Sequence, residues 1–187
     1  MSKRIGVIFL GPPGSGKGTQ AQRLAGTLQI PHISTGEILR EAIAKATPLG
    51  QQAKSYVENG DLVPDSLLLD LIRERLQQED TEKGWILDGF PRNVAQAAFL
   101  EELLQEFTDT VWYAINLEVP DEVLIDRLLH RGRQDDTVET IAHRLEVYHK
   151  QTEPVLGYYR ERNALHSIDG HRSLDEVTDS LTAIVGR

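Results

Sequence analysis

Apolar residues in this chain come in short runs separated by longer amphipathic stretches. Ile5 to Leu10 is an unbroken apolar run of the length expected for a strand buried on both faces. The pattern predicts strands over Arg4–Leu10, His32–Ser34, Trp85–Asp88, Thr110–Leu117 and Leu165–Asp169. Between them, apolar residues recur at helical spacing. They predict helices over Lys17–Leu28, Glu37–Ala46, Gly50–Asn59, Asp65–Gln78, Asn93–Phe107, Asp121–His130 and Leu174–Val185, and one long helix over Thr137–Arg162. Short apolar strands alternating with amphipathic helices predict an α/β fold, a five-stranded parallel sheet with helices on both faces. Ligands of such sheets sit beyond the carboxyl ends of the strands.

Composition narrows the class. The 187 residues show no repeat, low-complexity tract or dividing linker, which fits a single domain, and 40% are hydrophobic. No apolar run approaches the roughly 20 residues of a membrane span, and the N-terminus has no signal-peptide pattern, so a cytoplasmic protein is expected. The absence of cysteine excludes disulfides and cysteine-ligated zinc. A net charge of −9 argues against non-specific nucleic-acid binding, and any polyanionic ligand must be held by locally concentrated Lys and Arg. No extended apolar face stands out, so a monomer is expected.

The first predicted strand runs into Gly11-Pro12-Pro13-Gly14-Ser15-Gly16-Lys17-Gly18-Thr19. The spacing Gly11-x-x-x-x-Gly16-Lys17 matches the phosphate-binding P-loop. Successive amides of such a loop, the positive end of the following helix and the Lys17 ammonium hold a polyphosphate together. A bare connecting turn has no use for lysine at this offset. Gly18 stands where the general pattern has Ser or Thr, and Thr19 follows it. That leaves open whether Thr19 touches a magnesium ion directly, acts through a bound water or meets a phosphate oxygen.

Other candidate residues fall just after predicted strands. Ser34 and Glu37 have capping-box spacing, Thr35 offers a hydroxyl, and Arg40 carries a planar fork suited to phosphate. Residues 35–63 hold two helices' worth of sequence, more than a simple crossover needs. Gly60-Asp61-Leu62-Val63-Pro64 ends this insert, and Asp65 is placed to cap the next helix. In Trp85-Ile86-Leu87-Asp88-Gly89-Phe90-Pro91-Arg92 a carboxylate sits at a strand's end, where it can hold magnesium or its waters beside the P-loop. Gln96 lies one helical turn beyond Arg92. Arg127 and Arg131 are an i, i+4 pair, and Arg133 and Arg144 follow. Each arginine taken singly reads as a solvated surface charge. The histidines at 32, 130, 143, 149, 166 and 171 show no metal-ligand spacing and no adjacent nucleophile, and none is assigned a catalytic role.

Together these stretches make the whole chain resemble the adenylate kinases, nucleoside monophosphate kinases with a P-loop three-layer fold, in their short-lid form. The P-loop form with Gly-Thr after the lysine, Ser34-Thr35-Gly36-Glu37-Ile38-Leu39-Arg40, the run Asp88-Gly89-Phe90-Pro91-Arg92 and the spaced arginines from 127 to 144 carry the resemblance. It implies reversible transfer of a phosphoryl group from ATP to AMP, giving two ADP, and so a role in adenine nucleotide homeostasis. It places Gly14, Ser15, Gly16, Lys17, Gly18, Thr19, Arg127, Arg131 and Gly170 on ATP. It places Thr35, Arg40, Asp61, Leu62, Val63, Gly89, Phe90, Pro91, Arg92, Gln96, Arg133 and Arg144 on AMP, with Gln96 reading the adenine edge. Lys17, Asp88, Arg92, Arg131, Arg133 and Arg144 are the expected catalytic set. Magnesium is expected with ATP, ordered by Asp88 through water with no direct protein ligand, and no zinc. The ligands implied are ATP, AMP and ADP, with neither nucleic acid nor membrane as partner. Residues 34–63 form the expected acceptor subdomain and 130–136 the lid. Two departures stand out: Glu37 replaces an aspartate, and a single Gly132 separates Arg131 from Arg133, which shortens the lid.

Two other readings compete. Pyrimidine (UMP/CMP) monophosphate kinases carry Asn at the position of Gln96 and Ala at that of Thr35, so both positions favour AMP. A non-catalytic nucleotide-binding module would have no need of Lys17, Asp88 and the arginines together.

Overall fold

Strand β1 (Arg4–Leu10) occupies the centre of the sheet because every one of its last residues is buried on both faces. The computed structural model describes residues 3–107 and 110–186. Helix α1 (Lys17–Leu28), β2 (His32–Ser34), α2 (Thr35–Ala44), α3 (Pro48–Asn59) and α4 (Asp65–Leu76) follow. Then come β3 (Gly84–Asp88), α5 (Val94–Gln105), β4 (Thr110–Glu118), α6 (Asp121–Arg131), α7 (Val138–Val147), α8 (Pro154–Glu161), β5 (Leu165–Asp169) and α9 (Leu174–Val185). The five strands are all parallel in the order β2-β3-β1-β4-β5, as the alternating pattern predicts. No helix among the described residues is long and apolar enough to cross a membrane.

Successive side chains of β1 point to opposite faces and build two cores. Ile8 and Leu10 join Trp85, Leu100, Leu103, Val155 and Tyr159 beneath α4, α5 and α8. Val7 and Phe9 join Leu24, Ile115, Leu181 and Val185 beneath α1 and α9. Burying each such leucine contributes roughly 1.5–3 kcal/mol relative to leaving it exposed. A satellite core of Leu124, Leu128, Ile141 and Leu145 joins α6 to α7. In register, Phe9 faces Asp88 across β1 and β3, and Ser34 faces Asp88 across β2 and β3. The P-loop, Asp88 and the start of α2 therefore emerge side by side at the carboxyl edge.

Three expectations are corrected. The long helix over 137–162 is instead α7, a wide turn over Tyr148–Thr152 and α8. Pro154 has no amide hydrogen and its ring crowds the preceding turn, so regular pairing cannot continue through it. Glu153 N–H instead reaches back five residues to the Tyr148 carbonyl at 2.8 Å, and the backbone restarts as a helix with Pro154 in its first turn. Asp65 does not cap α4. Pro64 holds the cap position, Asp65 is the first helical residue, and its carboxylate turns to α5. Phe90, expected against AMP, is 0% exposed and belongs to the core beneath α4 and α5. Burial of the ring decides its direction.

Helices α2 and α3 cross at very short range. A Cβ on Gly50 would lie 2.0 Å from the Ala42 carbonyl oxygen, a backbone atom that cannot swing away. Thr47 caps α3 by accepting the Gly50 N–H at 3.1 Å, which fixes the turn between the two helices. Gly50→Ala must push them apart and is expected to cost about 1–3 kcal/mol by the usual scale of overpacking. Urea unfolding checks this, and an unchanged midpoint would contradict the close crossing.

Candidate functional site

A cleft of about 730 Å³ opens along the carboxyl edge, between the P-loop, the α2–α3 insert and the α6–α7 segment. Its floor is the P-loop, where Gly14 and Gly16 hold φ of 80° and 96° and Gly16 precedes the first turn of α1. Lys17 folds back across its own loop and donates to the carbonyls of Gly11 and Pro12, each at 2.9 Å. Burial pushes its ammonium down to about 8, against the pull of Asp88 and with the help of Arg92 and Arg131. Ser15 is buried and its Oγ has no hydrogen-bond partner among the described residues. Thr19 is exposed, whereas a side chain at Gly18 would approach Asp88 Oδ2.

Asp88 is 8% exposed, and its Oδ2 lies 3.2 Å from His32 Nε2. Burial works against its carboxylate. The His32 hydrogen bond and the charges of Lys17 and Arg92 outweigh it, so the group titrates below the usual range and is ionised at neutral pH. Thr35 Oγ1 donates to the Asp88 carbonyl at 3.4 Å. Arg92 Nε donates to the Gly89 carbonyl at 2.9 Å. Gln96 lines the cleft at 1% exposure with both ends of its amide engaged. Oε1 accepts the Arg92 N–H at 2.7 Å and Nε2 donates to Asp65 Oδ1 at 2.7 Å.

On the other wall, Arg127 spans the P-loop and the last strand. It donates to the carbonyls of Gly14 (3.4 Å), Ser15 (3.5 Å) and Gly170 (3.2 Å). Arg131 grips Asp136 with both arms, Nε to Oδ2 at 2.8 Å and Nη2 to Oδ1 at 2.6 Å. Asp136 also accepts the Arg133 N–H at 3.1 Å and Arg144 Nη1 at 3.1 Å, while Arg144 Nη2 pairs with Asp135. The Arg133 side chain makes no hydrogen bond among the described residues. Asp61, at the end of the insert, meets His143 of α7 at 2.6 Å. Arg40, Leu62, Val63 and Pro91 also line the cleft.

The arrangement is a cation-lined cleft with two approaches, one over Arg127 and Gly170 and one over Thr35 and Gln96. A sequence model described as adenylate kinase matches residues 9–164. The chain is 57% identical to adenylate kinase 1 of Nostoc sp. (strain PCC 7120) over 96% of this chain and 98% of that protein. It is 56% identical to adenylate kinase 1 of Synechocystis sp. (strain PCC 6803) over 99% of both. Adenylate kinase of Xylella fastidiosa (strain M23) is 48% identical over 96% of this chain and 98% of that protein.

The chain belongs to the adenylate kinase family.

For an adenylate kinase cleft, the residues expected from the sequence converge closely. Of all of them, only Phe90 stays out of the cleft. Several residues with no expected role hold its side chains in place or line it. His32 sits two residues before the end of β2, and nothing in the sequence shows that the β2–β3 register brings it to Asp88. Asp135 and Asp136 follow the lid arginines closely enough to suggest pairing, and the side chain of Asp136 is 1% exposed. Arg172 also lines the adenylate kinase cleft, donating to the Asp169 carbonyl at 3.4 Å and to Ser180 at 2.9 Å.

Asp136 is the anchor of the arginine cluster. Burial raises its pKa, and the hydrogen bond and charge of Arg131, the Arg133 N–H and Arg144 lower it further than burial raises it, leaving it below the usual carboxylate range. A depressed folded value adds stability that is present above the unfolded value and lost as pH falls through the folded one. Asp136→Asn is expected to cost about 2 kcal/mol at pH 7 in urea unfolding, the scale of a hydrogen bond to a charged group. It is also expected to lose less stability than the parent as pH falls through and below the ordinary carboxylate range. Parallel pH profiles for the two proteins would contradict the anchoring role.

Proposed function

We propose that this chain catalyses reversible transfer of the terminal phosphoryl group of ATP to AMP, giving two ADP. One observation carries the reading. Lys17, Arg40, Arg92, Arg131, Arg133 and Arg144 gather with the ionised Asp88 around a single cleft of an otherwise acidic chain. An AMP phosphate oxygen attacks the γ-phosphorus as the bond to the β–γ bridging oxygen breaks, and the electron pair leaves with the ADP β-phosphate. That nucleophile is already ionised near neutral pH, so no general base is needed. Catalysis is positioning plus charge neutralisation.

Lys17 and the P-loop amides hold the donor phosphates, Arg127 and the Gly170 backbone flank the donor base, and Gly14, Ser15, Gly16, Gly18 and Thr19 complete the cradle. Arg40 and Arg92 fix the acceptor phosphate. Thr35, Gln96 and the backbone at Asp61, Leu62 and Val63 surround the acceptor base. Arg131, Arg133 and Arg144 cover the group in transfer. The buried, ionised Asp88, with Oδ2 on His32, suits a hydrated magnesium ion carried in with ATP, which supplies charge neutralisation on the phosphates when bound. Residues 34–63 and 130–136 close over the cleft and exclude water, which would otherwise accept the phosphoryl group. The chain acts on ATP, AMP and ADP as a monomer in the cytoplasm. Its net charge of −9 is unsuited to a nucleic-acid partner.

The test is ADP formation by the purified protein with magnesium-ATP and AMP, UMP or CMP as acceptor. AMP is expected to be strongly preferred. Lys17→Ala and Arg92→Ala are each expected to reduce turnover on the order of 100-fold or more with the circular dichroism spectrum unchanged. Preference for a pyrimidine acceptor overturns the specificity, and ATP binding without turnover on any acceptor overturns the activity.

A further inference from the structure

The Gln96 side-chain amide is held by two partners that can each accept only one end of it. An ionised carboxylate is acceptor-only, so the end facing Asp65 Oδ1 at 2.7 Å must be the NH2. A backbone N–H is donor-only, so the end facing Arg92 N at 2.7 Å must be the carbonyl oxygen. The two contacts agree on one orientation. Turning the amide over would set oxygen against carboxylate and NH2 against N–H in a site where Gln96 is 1% exposed.

Asp65 is itself steadied. Asn93 Nδ2 donates to the same Oδ1 at 3.3 Å, and Asn93 Oδ1 accepts the Gln96 backbone N–H at 2.8 Å. A negative charge in the first turn of α4 also favours that helix, which is a structural reason for an acid at this position. It does not require the carboxylate to face α5.

We infer that Asp65 is a positioning residue that sets acceptor-base specificity by fixing which way round the Gln96 amide is held. The inference rests on the assignment of AMP as acceptor with its base beside Gln96. Of the two hydrogens and two lone pairs of the amide, one of each is used internally, leaving one of each for a base. An adenine edge offers an N6 hydrogen and an N1 lone pair. A 6-oxopurine edge offers the reverse, an oxygen at position 6 and a hydrogen on N1. With the base held in one place by its phosphate, a fixed amide matches the first and opposes the second. Without Asp65 only the Arg92 N–H orients the amide, which then turns over more readily to accommodate the second.

The experiment measures kcat/KM for AMP and for IMP with magnesium-ATP. In the parent protein AMP is expected to exceed IMP strongly. Asp65→Leu is expected to lower the AMP-to-IMP ratio by about tenfold, within the range of one well-formed pair of base-edge hydrogen bonds. Asp65→Ala serves in its place if the leucine variant does not fold. Asp65→Asn is expected to retain the ratio, because its Oδ1 can still accept from both Gln96 and Asn93. In a Gln96→Ala background, Asp65→Leu is expected to change the ratio no further. A folded Asp65→Leu or Asp65→Ala protein with the parent ratio overturns the inference. So does an Asp65→Asn variant that loses the ratio as fully as Asp65→Leu, which would make charge and not acceptor geometry the cause. Failure of the parent protein to use AMP overturns the assignment beneath the inference, before any variant is made.

Discussion

Gathering cations in one place is the constraint on which the structure depends. Lys17, Arg40, Arg92, Arg131, Arg133 and Arg144 all line one cleft, and like charges brought together out of water repel. The depressed titration of Lys17 and the lowered values of Arg40 and Arg133 have burial as their largest cause, with neighbouring arginines adding to it. The chain balances the repulsion with carboxylates in and behind the same cleft. Asp88 sits beside Lys17, while Asp135 and Asp136 hold Arg131 and Arg144. Carbonyl oxygens of the P-loop accept from Lys17 and from one arm of Arg127.

The fold supplies that gathering through register. Because β1 lies between β3 and β4, three separate chain segments end at one edge. The P-loop follows Leu10, the Asp88 turn follows β3, and the Gly170 turn follows β5. Two packed faces keep β1 rigid, so the loop that follows it is presented by a fixed strand. Within the insert α2 and α3 cross closely at Gly50; Leu39, Ala53 and Val63 join it to the core of the sheet, and Asp61 meets His143 on the lid side.

The wide turn at Tyr148–Thr152 shows how a local rule and a global pattern can disagree. Helical periodicity continues through residues 137–162, yet Pro154 cannot continue the hydrogen-bond ladder. The chain keeps its direction by lengthening one turn, and Tyr148 and Thr152 remain at the cleft wall. Phe90 is a similar lesson at the scale of one residue. Its neighbours Gly89, Pro91 and Arg92 line the cleft, and its ring instead fills the core, since an aromatic side chain gains more from burial than a loop gains from its exposure.

Strand and helix positions, the parallel sheet, the P-loop and the Asp88 to Arg92 run were legible in the sequence because each depends on residues adjacent or one turn apart. Apolar runs report burial, glycines report tight backbone, and Lys17 follows its loop directly. What only the tertiary structure decided involves partners far apart in the chain. His32 meets Asp88 across 56 positions, and Asp65 meets Gln96 across 31. A carboxylate at a helix start reads as a cap until the fold shows a buried amide within reach of it. Sequence spacing determines which side chains are available along each element. The direction in which a polar side chain is spent depends on which unpaired donor or acceptor folding brings beside it, because burial leaves no water to take the partner's place.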